Sequence, residues 1–306
     1  MRAACALACL LALAATSLCA QSSSDKKSNP AEIGNRDVGK GFNLFTLEKE
    51  MALGKQLAQE IQRQAKVVDD PLLSEYVNRI GQNLARNSDA RVPFTFQLIE
   101  GDSPNAFALP GGYVFVYTGL IKIASEEDEF AAAMAHEIAH VAARHMTKQA
   151  TRSQIARGAS IPVLILMGGG PAGVLGREGL NTGLTGAFMK FGRADEEEAD
   201  YLGVQYLYAA GYDPNGAVSI LEKLASLERK NPGTVARIFS THPTDAARIQ
   251  NTEREIDRIL PARSEYVIST SEYAEMRRRL IDGLAKRRPT LEGPRERPTL
   301  RRDRPE

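Results

Sequence analysis

The chain is expected to fold as an α+β domain, mainly helical with a small β-sheet, and three observations carry that expectation. Apolar residues recur at helical spacing, at Leu53, Leu57 and Ile61 and again at Leu73, Tyr76, Val77, Ile80 and Leu84. Between Val92 and Leu120 the period shifts to two: Phe94, Phe96 and Leu98 alternate, and Tyr113 to Tyr117 is β-branched and aromatic. Soon after, Ser125 opens an Ala-rich helical stretch whose two histidines, His136 and His140, lie four residues apart.

The bounds are those of an ordinary globular protein: 306 residues, 43% hydrophobic and 25% charged, enough to bury a sizeable core. A formal net charge of +1 supplies no bulk attraction to polyanions, so no nucleic-acid partner is expected. Residues 1–20 run from Met1-Arg2 through an Ala/Leu-rich segment to Cys19-Ala20, the layout of a signal peptide, with a retained N-terminal anchor as the alternative. Export to the periplasm, or a peripheral membrane location, follows as an expectation. All three cysteines, Cys5, Cys9 and Cys19, fall in this leader, so any metal site downstream must be built from nitrogen and oxygen.

Residues 21–46 are polar and aperiodic and read as a linker or loosely held arm. Two amphipathic helices follow, Asp70-Pro71 serving as the start signal of the second. Pro110-Gly111-Gly112 marks a tight turn between strands, and the small sheet is expected to leave an edge toward the cleft, available to an extended peptide or merely structural. Ser125-Glu126-Glu127-Asp128 offers a cap candidate and an acidic first turn for the next helix, expected to reach Met146. On that helix His145 would face away from His136, which suggests a structural role.

His136-Glu137-x-x-His140 puts two imidazoles one turn apart on one helix face, able to close on one ion, with the Glu137 carboxylate beside it. A zinc ion so held needs a third protein ligand and an open position for water, whose proton Glu137 can take as general base. The second motif, Glu196-x-x-x-Asp200, supplies candidates: Glu196 as third ligand and Asp200 as hydrogen-bond acceptor for a ligating imidazole. His242, in a loop before Pro243, is free either to point into a cleft or to lie on the surface. The apolar run Ile161 to Met167, with Gly168-Gly169-Gly170 after it, reads as a lid, as a face touching lipid or unfolded chains, or as a buried hairpin.

In order, Asp69-Asp70-Pro71, Asn105-Ala106-Phe107 with Pro110-Gly111-Gly112, His136 to Val141 with Arg144-His145, Arg193 to Asp200, and Ser240 to Pro243 with Arg248-Ile249 resemble one family. It is the zinc metallopeptidase family of the CAAX prenyl protease, HtpX and BepA, metallopeptidase family forty-eight. The resemblance implies a zincin-type (gluzincin) domain over 47–262, one zinc ion per chain on His136, His140 and Glu196, Glu137 as base, and His242 near the metal. Gly192 stands where relatives usually have Ser. The long apolar spans and helical repeats of some relatives are not found, so a compact exported branch is implied. Residues 263–285 would add a strand and a helix, and the Arg/Pro-rich 286–306 would be a disordered tail.

The expected function is a zinc-dependent endopeptidase acting on unfolded or misassembled exported proteins, with membrane-surface contact through 161–175. The alternative is a periplasmic chaperone or assembly factor with a latent metal site.

Overall fold

The computed structural model describes residues 26–156, 191–230, 242 and 246–287. The leader, the apolar run with its glycines, the pair Thr244-Asp245 and nearly all of the C-terminal tail lie outside the described residues. Among those described, no helix is long and apolar enough to cross a membrane.

Helix α1 (Leu47–Gln64) is capped by Thr46, whose hydroxyl accepts the Lys49 N–H at 3.3 Å, and α2 (Pro71–Arg86) starts where Asp70 accepts the Leu72 and Leu73 N–H groups. Strands β1 (Thr95–Ile99), β2 (Ala106–Leu109) and β3 (Tyr113–Tyr117) form one sheet in the order β1-β3-β2, β1 parallel and β2 antiparallel to β3. The period of two sorts its side chains. Phe96, Leu98, Ala106, Ala108, Val114 and Val116 join the main core, while Phe107, Leu109 and Phe115 face Ala58 and Ile61 of α1. The Pro110-Gly111-Gly112 turn is where expected, with φ of 77° and 89° at the two glycines, the left-handed region that only glycine adopts freely.

The short helix α3 (Thr118–Ile123) leads to α4 (Glu127–Ala142), which carries both histidines and runs through the centre of the molecule. Its Ala131, Ala135, Ile138 and Ala139 are fully buried. The first turn is held from Glu129, which accepts the Ser125 N–H at 2.7 Å and pairs with Lys223, so the N-cap position falls to Glu126 and not to Ser125.

The helix does not reach Met146. It stops at Ala142, Arg144 takes a left-handed φ of 60°, and a new helix α5 (His145–Ala156) leaves in another direction. A non-glycine residue in that region is strained, and distant partners hold it there: the Arg144 Nε donates to Glu50 at 2.8 Å and its guanidinium reaches the Phe45 carbonyl.

Helices α6 (Arg193–Ala209) and α7 (Asn215–Lys230) pack against α4, α8 (Ala246–Ile259) packs on α6 and α7, and α9 (Ser271–Arg287) lies against α2 and α3. The piece expected as a strand at Tyr266 to Ile268 makes a single bridge, Val267 to Tyr212. Gly203 decides how near α6 comes to α4, because a Cβ there would lie 3.2 Å from the His136 backbone.

Residues 26–46 correct the expectation of a loose arm. Arg36 is buried, forks onto Asp89 with contacts of 2.6 to 3.1 Å and donates to Gln205 at 2.6 Å; Val38 sits in the core. The segment is mostly exposed, but Arg36, Val38 and Phe45 are buried and tie it down.

Candidate metal centre

Three elements bring polar atoms to one point. Helix α4 presents His136 and His140 from successive turns, α6 presents Glu196, and His242 arrives ahead of α8. One ligand atom from each of these four residues lies within 4.8 Å of all the others. The His140 Nε2 is 3.0 Å from the His136 Nε2, which is 3.3 Å from the His242 Nδ1, and that atom is 2.8 Å from Glu196 Oε1. Glu196 lies 3.4 Å from His136 and 3.6 Å from His140. An ion bonded tetrahedrally at about 2.0–2.1 Å separates its donors by roughly 3.3 Å, so this set has the dimensions of a small metal site.

The charges agree with that reading. Burial would push the His136 imidazolium down, but the Asp200 and Glu196 carboxylates outweigh it and hold its pKa up to about 10. Burial acts against the Glu196 carboxylate as well, yet His242 and His136 keep it well below the ordinary range. His140, by contrast, is pushed far down, first by burial and then by His136. The Asp200 and Glu196 carboxylates make the pocket favourable to positive charge, as a cation-binding site requires.

Glu137 lies beside the donor set. Its Oε2 accepts the Ala108 N–H at 2.9 Å and its Oε1 is 3.4 Å from His242 Nε2; burial raises its pKa while His242 and His136 pull the other way. The Asn105 carbonyl accepts the Tyr117 N–H, so Phe107 pairs with Phe115 and the amides of Ala106 and Ala108 face away from β3, on the side of Glu137. An apolar cavity opens from here, lined by His136, Glu137, Ala106, Val204, Leu221 and Leu224.

Asp200 stands 2.9 Å from His136 Nδ1, and Arg248 grips its carboxylate with two contacts of 2.7 Å while also reaching Glu196 at 3.0 Å. The structure thus brings together His136, Glu137, His140, Glu196, Asp200 and His242. Sequence reasoning assigned no site role to Arg248, although its place six residues after His242, one turn into a helix, was a usable signal. Nor did it find Phe191, whose ring stacks on His140 with centroids 4.1 Å apart, or the pair His145 and Glu198.

A helix-borne His-Glu-x-x-His with a carboxylate from a neighbouring helix, beside a small sheet, defines a zincin-type metallopeptidase domain. Residues 71–256 match the family profile described as Peptidase family M48, and the chain belongs to that family. It is 31% identical over 242 residues to the beta-barrel assembly-enhancing protease of Yersinia pestis, covering 76% of this chain and 49% of that one. The mitochondrial metalloendopeptidase OMA1 of Schizosaccharomyces pombe is 30% identical over 231 residues, covering 72% and 64%. The metalloprotease LoiP of Escherichia coli is 32% identical over 204 residues, covering 65% and 77%. The chain spans about half the length of the beta-barrel assembly-enhancing proteases it matches.

Proposed function

We propose that this protein is a zinc-dependent endopeptidase that cleaves unfolded or misassembled exported proteins. The observation that carries the reading is the four-donor cluster with Glu137 next to it but outside it. His136, His140 and Glu196 are the ligands, and the nitrogen and oxygen donor set suits zinc. Bound there, the ion supplies a Lewis acid for the peptide carbonyl and lowers the pKa of water.

The chain's own residues do the rest. Glu137 takes the proton of the attacking water and delivers it to the leaving amine, and the Ala108 N–H keeps the carboxylate aimed while it does so. Asp200, itself fixed by Arg248, holds the proton on His136 Nδ1 and leaves Nε2 free for the ion. The outward edge of β2 supports binding of substrate as an added strand, a mode that needs an extended and therefore unfolded chain. The leader-like residues 1–20 support action outside the cytoplasm.

Replacing Glu137 with Gln tests this reading. Zinc content should match the parent while casein cleavage falls by about 10²–10⁴-fold or more. Retained cleavage by pure variant protein would remove Glu137 from the chemistry. Full rescue of a deletion phenotype by the same variant would favour the chaperone alternative.

A further inference from the structure

We propose that His145 and Glu198 are positioning residues that set the tautomer of His140, and so its readiness to bind metal; the proposal rests on the metallopeptidase reading above. An imidazole ligates through a nitrogen free of hydrogen, so its other nitrogen carries the proton and needs an acceptor. For His136 that acceptor is a carboxylate, Asp200. For His140 it is not. The His140 Nδ1 lies 2.9 Å from the Nδ1 of His145, another imidazole, and two such nitrogens in contact share a single proton.

Which ring owns that proton decides the state of the site. If His145 holds it, His140 is protonated on Nε2, which is 3.0 Å from His136 Nε2, and the lone pair needed by an ion is gone. If His140 holds it, His145 must be protonated on Nε2. That atom faces Glu198 Oε2 at 3.1 Å, and a carboxylate can only accept. Glu198 therefore selects the second arrangement. Its other oxygen, Oε1, accepts from Lys27 Nζ at 2.8 Å. His145 is only 1% exposed, so water does not replace either partner.

The backbone shows how this is built. On a continuous helix His145 would point away from the site, and the left-handed Arg144 turns it back onto His140.

The experiment uses the full chain and reads zinc affinity by chelator competition, with the visible spectrum of the cobalt-substituted protein as a report on ligand geometry. His145→Leu should weaken zinc binding on the order of 10–100-fold and perturb the cobalt spectrum. His145→Asn, whose amide oxygen occupies the place of Nδ1, should restore most of the affinity. Glu198→Ala, at a partly exposed position that tolerates truncation, should weaken binding on its own yet add nothing to His145→Leu, because Glu198 acts through His145. Parent-like affinity in both His145→Leu and Glu198→Ala overturns the relay, as does an Asn variant as weak as Leu, or losses that add in the double variant. Should His145→Leu fail to fold, Glu198→Ala and His145→Asn still decide the matter. A parent that takes up no zinc overturns the metallopeptidase reading and the relay with it, whereas a zinc-binding parent with indifferent variants overturns the relay alone.

Discussion

His242 faces the metal donors with one nitrogen and Glu137 with the other. As a fourth donor it would take the position that the attacking water needs and would act as a latch on the resting site. His242→Ala is therefore expected to hydrolyse casein several-fold faster than the parent with zinc content unchanged; a fall of roughly a hundredfold would instead assign it to stabilising the transition state. A second single-residue effect lies away from the site. Asp128 is 5% exposed, and burial, with the like charges of Glu129 and Asp213 adding to it, raises its carboxyl to about 7. The folded protein then holds a proton that the unfolded chain has released, so stability falls as pH rises from near 4 to about 7 and stays lower above it. Asp128→Asn should raise the melting temperature by roughly a few degrees at pH 8, with the gain vanishing toward pH 4; an equal gain at both pH values would refute the charge explanation.

At the scale of elements, the contact between α4 and α6 matters most, because each helix brings candidate metal donors the other lacks. Ala131, Ala135 and Ala139 keep α4 slim, and Gly203 lets α6 approach the His136 backbone so closely that even a methyl group is crowded. Both helices are packed on their other sides, and a branched side chain at that point must spread them. Gly203→Val should cost about 1–3 kcal/mol in denaturant unfolding and also weaken zinc binding, since the separation between Glu196 and the imidazoles would grow. Loss of stability with parent-like zinc affinity would show that the ligands tolerate more movement than the packing suggests. The break between α4 and α5 is an element-scale decision of another kind: it ends one helix to aim the first residue of the next.

Across the whole molecule, residues 26–46 behave as a strap. Arg36 and Asp89 are almost fully buried, and Tyr206 and Gly34 complete the hydrogen bonding of the Asp89 carboxylate. Farther along the same segment, Asn43 bonds Thr147 at 2.8 Å, and Thr147 in turn meets Glu50, the residue that holds Arg144. The strap thus reaches both α6 and the turn that directs His145. Arg36→Met leaves the Asp89 charge buried without its partner, so urea unfolding should show a loss of about 3–5 kcal/mol, and a loss below 1 kcal/mol would mean the strap is dispensable.

How much of this was legible in the sequence depended on range. Helices α1, α2 and α4, the turn at Gly111-Gly112 and the convergence of His136, His140 and Glu196 could be read directly. The helices, the turn and the pairing of His136 with His140 depend on residues within a few positions of one another, where backbone periodicity dictates which side chains share a face; Glu196, far along the chain, came from a second motif and from the family resemblance. The fate of His145 could not be read: the turn at Arg144 contains neither glycine nor proline, and its left-handed conformation is stabilised by Glu50 and Phe45 from about a hundred residues away. For the same reason residues 26–46 looked like a linker, since a polar segment is solvated unless distant groups such as Asp89 and Gln205 satisfy it. Local spacing determined which side chains could bind a metal, and the tertiary structure decided which others hold them, because a buried charge or a strained turn persists only where partners from elsewhere in the chain compensate it.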